Sequence, residues 1–198
     1  SVKPQIRDGV VLDEEIAELL GWYVAEGWTT ATETNDWRTG FALSSDETHV
    51  AARITDIVER RFGLSSQTYP ASTGNGITVG FCSAPVGRFL RETCGVGAHN
   101  KRIPEFVLYN RNESILRSFL RAYISGDGFV TDVMSYGTVS RTLALQVQLA
   151  FARFGALVNL YERPGYDSII RGRSFTSGPL FHGQSRNQET FDALDVER

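Results

Sequence analysis

The sequence predicts an α+β protein built from two related halves in one chain, and three observations lead there. Residues 14–27 and 114–128 repeat one another at a shift of 101: Leu19 falls on Leu120, Glu26 on Asp127 and Gly27 on Gly128, with Tyr23 one place off Tyr123. Arg61-Phe62-Gly63 with Tyr69 returns as Arg153-Phe154-Gly155 with Tyr161, at a shift of 92. Each half also reads as helix, two strands, helix, two strands, with more helix after, a duplicated αββαββα pattern with a pseudo-twofold axis. From Glu26 to Phe62 is 36 residues and from Asp127 to Phe154 is 27, so the second copy is shorter by nine, the size of a trimmed hairpin.

In the first half, Ile16, Leu19, Leu20 and Tyr23 give residues 13–27 one apolar face, and Asp13, Glu14 and Glu15 fill the first turn, where the helix dipole favours acids. Residues 28–43 read as a hairpin broken at Asn35-Asp36. Ser44-x-x-Glu47 reads as a capping box opening a helix that carries Val50, Ile54, Val58 and Phe62 and closes at Gly63. Residues 65–82 form a second hairpin turning near Gly74-Asn75-Gly76, with Ile77, Val79 and Phe81 alternating, and a short helix follows over about 85–94. In the second half the pattern predicts a helix over 113–126, a short hairpin over 129–138, a helix over 140–154, and strands near 156–162 and 167–175 around Arg163-Pro164-Gly165. The tail after about 175 matches no element of the first copy. The expected organisation is a first half at 1–98, a connector at 99–112 and a second half at 113–198.

Composition narrows the class of function. With 198 residues, 41% hydrophobic and 22% charged, the chain can bury a sizeable core and is neither fibrous nor a coiled coil. No apolar run approaches the ~20 residues of a membrane span, and the N-terminal stretch lacks the apolar core of a signal peptide. Cys82 and Cys94 make neither a disulfide framework nor a zinc site. An intracellular, prokaryotic protein of the cytoplasm or nucleoid is the expectation. The net charge of −3 hides an asymmetry: residues 1–99 carry 8 basic and 13 acidic groups, residues 100–198 carry 12 and 10. Of the 20 basic residues only Lys3 and Lys101 are lysines.

The repeated helices carry the chemistry. Ala17, Gly21 and Ala25 in the first, and Ser118, Ala122 and Gly126 in the second, place small residues at every fourth position, a flat stripe that lets two helices pack with backbones nearly touching. Each helix then ends on an acid followed by glycine, Glu26-Gly27 and Asp127-Gly128. A carboxylate at a helix C-terminus is disfavoured by roughly 0.3–1 kcal/mol, and two brought together repel. A divalent cation relieves both costs. Hard carboxylate oxygens suit Mg²⁺ or Mn²⁺, which leaves room for waters and phosphate oxygens, so the pair points to metal-assisted phosphodiester hydrolysis.

Residues 19–27 and 120–128 resemble the two dodecapeptide motifs of the LAGLIDADG homing endonucleases, most nearly the endonuclease domains carried within archaeal inteins. Lys101-Arg102-Ile103-Pro104 is similar to the family's Lys-x-Ile-Pro block ahead of the second motif. Gly137-Thr138-Val139-Ser140 through Gln146-Val147-Gln148 to Arg153-Phe154-Gly155 is similar to the block after it. The likeness covers about 13–162 in the family's order. It implies a central two-helix interface between two saddle-forming antiparallel sheets that straddle double-stranded DNA over a long asymmetric target, in a monomer. It implies metal binding and catalysis by Glu26 and Asp127, one acid for each strand, with Lys101 as the active-site lysine, and a double-strand break with short 3′ overhangs. No lysine follows Lys101, so the second half lacks a matching ammonium; Arg171 or Arg173 would stand in poorly, since Arg cannot give up its proton.

Hydroxyl, amide and guanidinium groups on the strands are the candidates for DNA contact: Thr30, Arg38, Gln67, Thr78, Asn159, Arg163, Arg171 and Arg173, with Thr29 and Thr39 beside them. Trp22 and Trp28 read as core and hairpin anchors, and His49, His99 and His182 lack ligand spacing. The alternative reading on the same scaffold is a non-cleaving DNA- or RNA-binding protein, a regulator or an intron maturase. Self-splicing is not expected, because no His-Asn pair closes the sequence.

Overall fold

A computed structural model describes residues 9–32, 36–71, 75–165, 167–170, 173–176 and 178–196, the strands within 167–176 by backbone alone. The first half begins with helix α1 (Glu14–Glu26), capped by the Asp13 carboxylate, which accepts the Ile16 N–H at 3.0 Å. Strands β1 (Gly27–Ala31) and β2 (Trp37–Ser44) follow, then helix α2 (Thr48–Phe62). Only half of the expected capping box forms. Glu47 accepts the Ser44 N–H at 2.7 Å, but Ser44 is still the last residue of β2 and α2 starts at Thr48. Gly63 closes α2 at φ 62°, a left-handed cap that suits glycine. Strands β3 (Gln67–Pro70) and β4 (Gly76–Cys82) and helix α3 (Ala84–Cys94) complete this half. A 3-10 turn (Ala98–Asn100) and the short helix α4 (Glu105–Leu108) lead to the second half.

The second half repeats the order with α5 (Glu113–Asp127), β5 (Gly128–Val130), β6 (Met134–Thr138), α6 (Arg141–Ala152) and β7 (Asn159–Arg163). Ser140 caps α6 through the Leu143 N–H. The hairpin β5–β6 is short, spanning 128–138 against 27–44 in the first half, which accounts for seven of the nine residues missing from the second copy.

Each half has a four-stranded antiparallel sheet, in the orders β1-β2-β4-β3 and β5-β6-β10-β7. Here the structure corrects the sequence reading. The fourth strand is not 167–175: strands β8 (Asp167–Ile170) and β9 (Arg173–Thr176) pair only with each other, as a separate ribbon beyond the Pro164-Gly165 break. The place is taken by β10 (Leu180–Ser185), from the tail that matched nothing, and helix α7 (Gln188–Leu194) then packs on α5. The reason is period-two alternation: Phe181, Gly183 and Ser185 are buried in register with Thr138, Tyr136 and Met134.

The core joins both halves through the α1–α5 contact, the most extensive between any two elements. Ile16, Leu19, Leu20 and Tyr23 of α1 and Phe119, Leu120 and Tyr123 of α5 are all buried. Tyr23 packs edge-on against Phe41 and Tyr123 against Tyr136, with ring centroids 6.2 and 6.1 Å apart. Phe41 and Tyr136 hold equivalent places, opposite Gly27 and Gly128. Among the described residues no helix is long and apolar enough to cross a membrane.

Candidate active site and nucleic-acid interface

The small-residue stripes meet. A methyl group on Gly21 would overlap the Phe119 carbonyl oxygen and come within 2.8 Å of Ala122 Cβ. One on Gly126 would lie 2.7 Å from Ala25 Cβ and 3.5 Å from Glu26 Oε1. Backbones this close force the last turns of α1 and α5 side by side, with the Glu26 carboxylate against the residue that precedes Asp127. Both helices end with a glycine in an extended conformation whose N–H returns to the last turn, Gly27 to Tyr23 and Gly128 to Ile124. Neither has a basic residue in its own last turn.

The two acids open into a cleft of about 390 Å³, shared with Lys101, Trp28, Thr138 and Leu180. Burial raises the pKa of Glu26 to about 7, helped by the negative charges of Asp127 and Glu47 and opposed by Lys101. Burial likewise raises that of Asp127 to about 6, against the pull of Lys101. Two carboxylates that resist ionisation in one cleft form a site where a cation would gain on both. Their hard oxygen donors fit Mg²⁺ or Mn²⁺. Among the described residues no cluster of three or more His, Cys, Asp or Glu could hold a metal, so such an ion would need waters or phosphate oxygens as further ligands.

Lys101 is buried beside the acids. Its ammonium donates to the carbonyl of Tyr23 and, at 2.7 Å, to that of Gly27, and it lies 3.9 Å from the centroid of the Tyr23 ring. Burial lowers its pKa to about 8, opposed by the charges of Asp127 and Glu26. The Ser140 hydroxyl donates to the Lys101 carbonyl at 2.7 Å, which ties this segment to the start of α6.

Strand register sorts the DNA-contact candidates. In the first sheet Thr39, Phe41, Val79 and Phe81 face the core, so the other face carries Thr30 opposite Arg38, and Gln67 opposite Gly80. Thr78 shares that face but is only 7% exposed, so its hydroxyl is not open to a partner as the sequence suggested. Thr29 and Thr39 turn inward and form a hydroxyl chain with Tyr23, at 2.9 and 3.1 Å. Trp28 lies across Gly40 and Tyr69 across Gly80, each aromatic filling the space a Cβ would take. In the second sheet the outer face carries Asn159 opposite Gln184 and Arg163 opposite Leu180. Arg173 belongs to the separate β8–β9 ribbon rather than this sheet, and Arg171 lies outside the described residues. Three outer-face residues escaped the sequence reading: Tyr161, His182 and Gln184, the last two with nitrogens 2.9 Å apart. The alternation Phe181, Gly183, Ser185 was the signal that would have found the latter two.

A family model described as a LAGLIDADG-like domain matches residues 114–177. The ATP-dependent DNA helicase Hel308 of Thermococcus kodakarensis is 32% identical over 184 residues, 84% of this chain and 16% of the helicase. The iron-sulfur cluster assembly SufBD family protein Rv1461 of Mycobacterium tuberculosis is 29% identical over 190 residues, 92% of this chain and 22% of that protein. The chain thus spans less than a quarter of either relative. Among solved structures, I-DmoI in complex with DNA and manganese superposes with a TM-score of 0.65 at 10% identity, covering 95% of this chain and 100% of that one. The N-terminal LAGLIDADG domain of WhiA superposes with a TM-score of 0.54 at 13% identity, covering 96% and 88%.

Proposed function

Because the chain belongs to the LAGLIDADG family, we propose that it is a site-specific, metal-dependent endonuclease of the homing type that breaks both strands of DNA. The observation that carries this reading is the meeting of Glu26 and Asp127 in one cleft at the end of the two-helix seam. In this reading 1–98 and 113–198 each address one half of a long target, 99–112 connects them, and a single chain supplies both acids. The exposed outer-face residues Thr30, Arg38, Gln67, Asn159 and Arg163, with Gln184 and His182, contact base edges and phosphates. Hydrolysis there leaves short 3′ overhangs.

Glu26 and Asp127 would hold Mg²⁺ or Mn²⁺, which when bound supplies Lewis-acid stabilisation of charge on the scissile phosphate. The two carboxylates orient the attacking water at that phosphate, one acid for each strand. Lys101 adds positive charge to the cleft wall, and Trp28 and Leu180 limit solvent on its sides. The matched stretch is a minor part of a DNA helicase and of an iron-sulfur assembly protein, two tasks with nothing in common. That distribution supports an inserted element of the intein type rather than a domain serving either host.

The likeness to the WhiA domain supports a second reading, a DNA-binding protein that does not cut. One experiment separates them. The protein is incubated with Mg²⁺ and a library of randomised duplex DNA, and the ends produced are sequenced. A homing endonuclease yields one long consensus with short 3′ overhangs, and Glu26→Gln or Asp127→Asn lowers cutting by roughly 10²-fold or more while DNA is still bound. Binding without new ends selects the second reading. Wild-type cutting by both variants refutes the assigned roles.

A further inference from the structure

Each half puts an aromatic residue two places after its acid. Trp28 follows Glu26-Gly27 and Phe129 follows Asp127-Gly128, at the repeat shift of 101. Each lies on the outer face of its sheet and heads a row of residues that crosses the four strands. In the first half the row is Trp28, Gly40, Gly80 and Gln67. In the second it is Phe129, Ser135, Gln184 and Asn159. The second place in the row decides how the aromatic is held. Gly40 leaves a bare seat and the Trp28 ring lies across it, so that a methyl group on Gly40 would overlap the ring. Ser135 stands in the equivalent place, where its Cβ fills the seat. Phe129 is left 63% exposed, against 36% for Trp28.

The residues beside Phe129 in its row carry hydroxyl and amide groups, so the ring does not belong to a contiguous apolar patch of the kind that docks another protein. One side of it borders a cavity of about 380 Å³ walled by Ile124, Leu194 and Val196, which leaves the ring room to turn. Chain geometry fixes how far from Asp127 it can act. Two extended residues span at most about 7 Å, and a DNA strand carries one phosphate for about every 3.4 Å of axis. A ring two residues beyond Asp127 therefore meets bases within about three pairs of the phosphate nearest that acid. Apolar side chains in such a place enter between base pairs, unstack them and bend the duplex.

We propose that Phe129 is a wedge: its ring lodges in one base step close to the phosphate nearest Asp127 and opens that step, while Trp28, held flat over Gly40, opens none in the other half of the target. The proposal rests on DNA binding by the outer sheet faces, which both readings above share, and not on cutting. Phe129 then sets sequence preference without a hydrogen bond to any base edge. Pyrimidine–purine steps unstack most readily, so the favoured target carries one at this place, in the half under the second sheet.

The test uses the full chain and a duplex selected for binding from a randomised library in EDTA, so that no strand is cut. 2-Aminopurine, which brightens when unstacked, replaces each adenine of the duplex in turn. Wild type is expected to raise the emission at one step under the second sheet and at no equivalent step under the first. Phe129→Ala is expected to lose that signal and to bind about tenfold more weakly, the worth of one aromatic stacked on a base. Phe129→Trp is expected to keep both. Phe129→Trp combined with Ser135→Gly rebuilds the flat seat of the first half, and is expected to lose the signal although the ring remains. A bound duplex with every step closed overturns the wedge, as does an opened step that survives Phe129→Ala or the double variant. A Phe129→Ala protein that melts at a lower temperature with unchanged emission assigns the ring to covering the cavity and overturns it too. If the library yields no bound duplex, the DNA-binding reading fails and the wedge fails with it.

Discussion

Gly21→Ala tests whether the seam between α1 and α5 sets both stability and chemistry. The added methyl would overlap the Phe119 carbonyl oxygen and sit 2.8 Å from Ala122 Cβ, where carbon atoms are at ease at about 3.5–4.0 Å. Neither neighbour can swing away, since one is backbone and the other a Cβ. The helices must therefore part by about 1 Å at this point. Overpacking of this kind costs about 1–3 kcal/mol, offset by the roughly 1 kcal/mol that alanine gains over glycine inside a helix. The net loss is up to about 2 kcal/mol, a fall in Tm of up to roughly 8 °C for a chain of this size. Activity suffers more, because Glu26 and Asp127 end these same helices and a misplacement of about 1 Å can cost on the order of 10²-fold in rate. Thermal denaturation and cleavage of the selected duplex measure the two effects. A Gly21→Ala protein that is more stable than wild type and cuts at full rate would refute the close seam, because only the helix-propensity gain would then remain.

Three further outcomes follow from the same packing and electrostatics. Tyr23→Phe removes a hydroxyl bonded to Thr29 and should cost about 1 kcal/mol, whereas Tyr123→Phe removes a buried hydroxyl without a partner and should be neutral or stabilising by about 1 kcal/mol; urea melts of the two variants reverse this order if the Tyr123 hydroxyl has a bound water. The raised pKa of Glu26 means the folded protein holds a proton that the unfolded chain releases, so this group's contribution to stability is full below about pH 4.5 and falls as pH rises through about 7. Glu26→Gln should abolish that share of the slope between pH 5 and 8, and Mg²⁺ should stabilise the wild type at pH 8 and hardly at pH 5, both read by denaturant melts. Gly183→Val would drive a side chain into the Tyr136 ring, within 2.7 Å of its hydroxyl oxygen, and should cost about 2–4 kcal/mol in the same assay; a neutral result would remove β10 from the middle of its sheet.

The paired helices, their acids and the first sheet were legible because their signals are local or repeated. Ala17, Gly21 and Ala25 recur as Ser118, Ala122 and Gly126, and the hairpins of the first half carry clear alternation. The second sheet was read less well. Its strand Leu180–Ser185 is separated from β7 by a further strand pair, and position in sequence does not reveal which candidate strand pairs with β6. Thr78 illustrates another limit: register placed it on the outer face, but exposure depends on neighbours across strands. The grip of Lys101 on α1 was hidden for the same reason, since the carbonyls it meets belong to backbone and have no signature of their own.

The position of β10 dictates an order of assembly on the ribosome. The first sheet has all its strands once residue 82 has emerged, but β6 and β7 stay apart until residues 180–185 are synthesised and slot between them. A chain stopped between β7 and β10 would leave the facing edges of β6 and β7 unpaired, which invites aggregation. Residues 180–185 thereby act as a late requirement for the second sheet: a copy that stops before them can complete its first sheet and leaves the second unfinished.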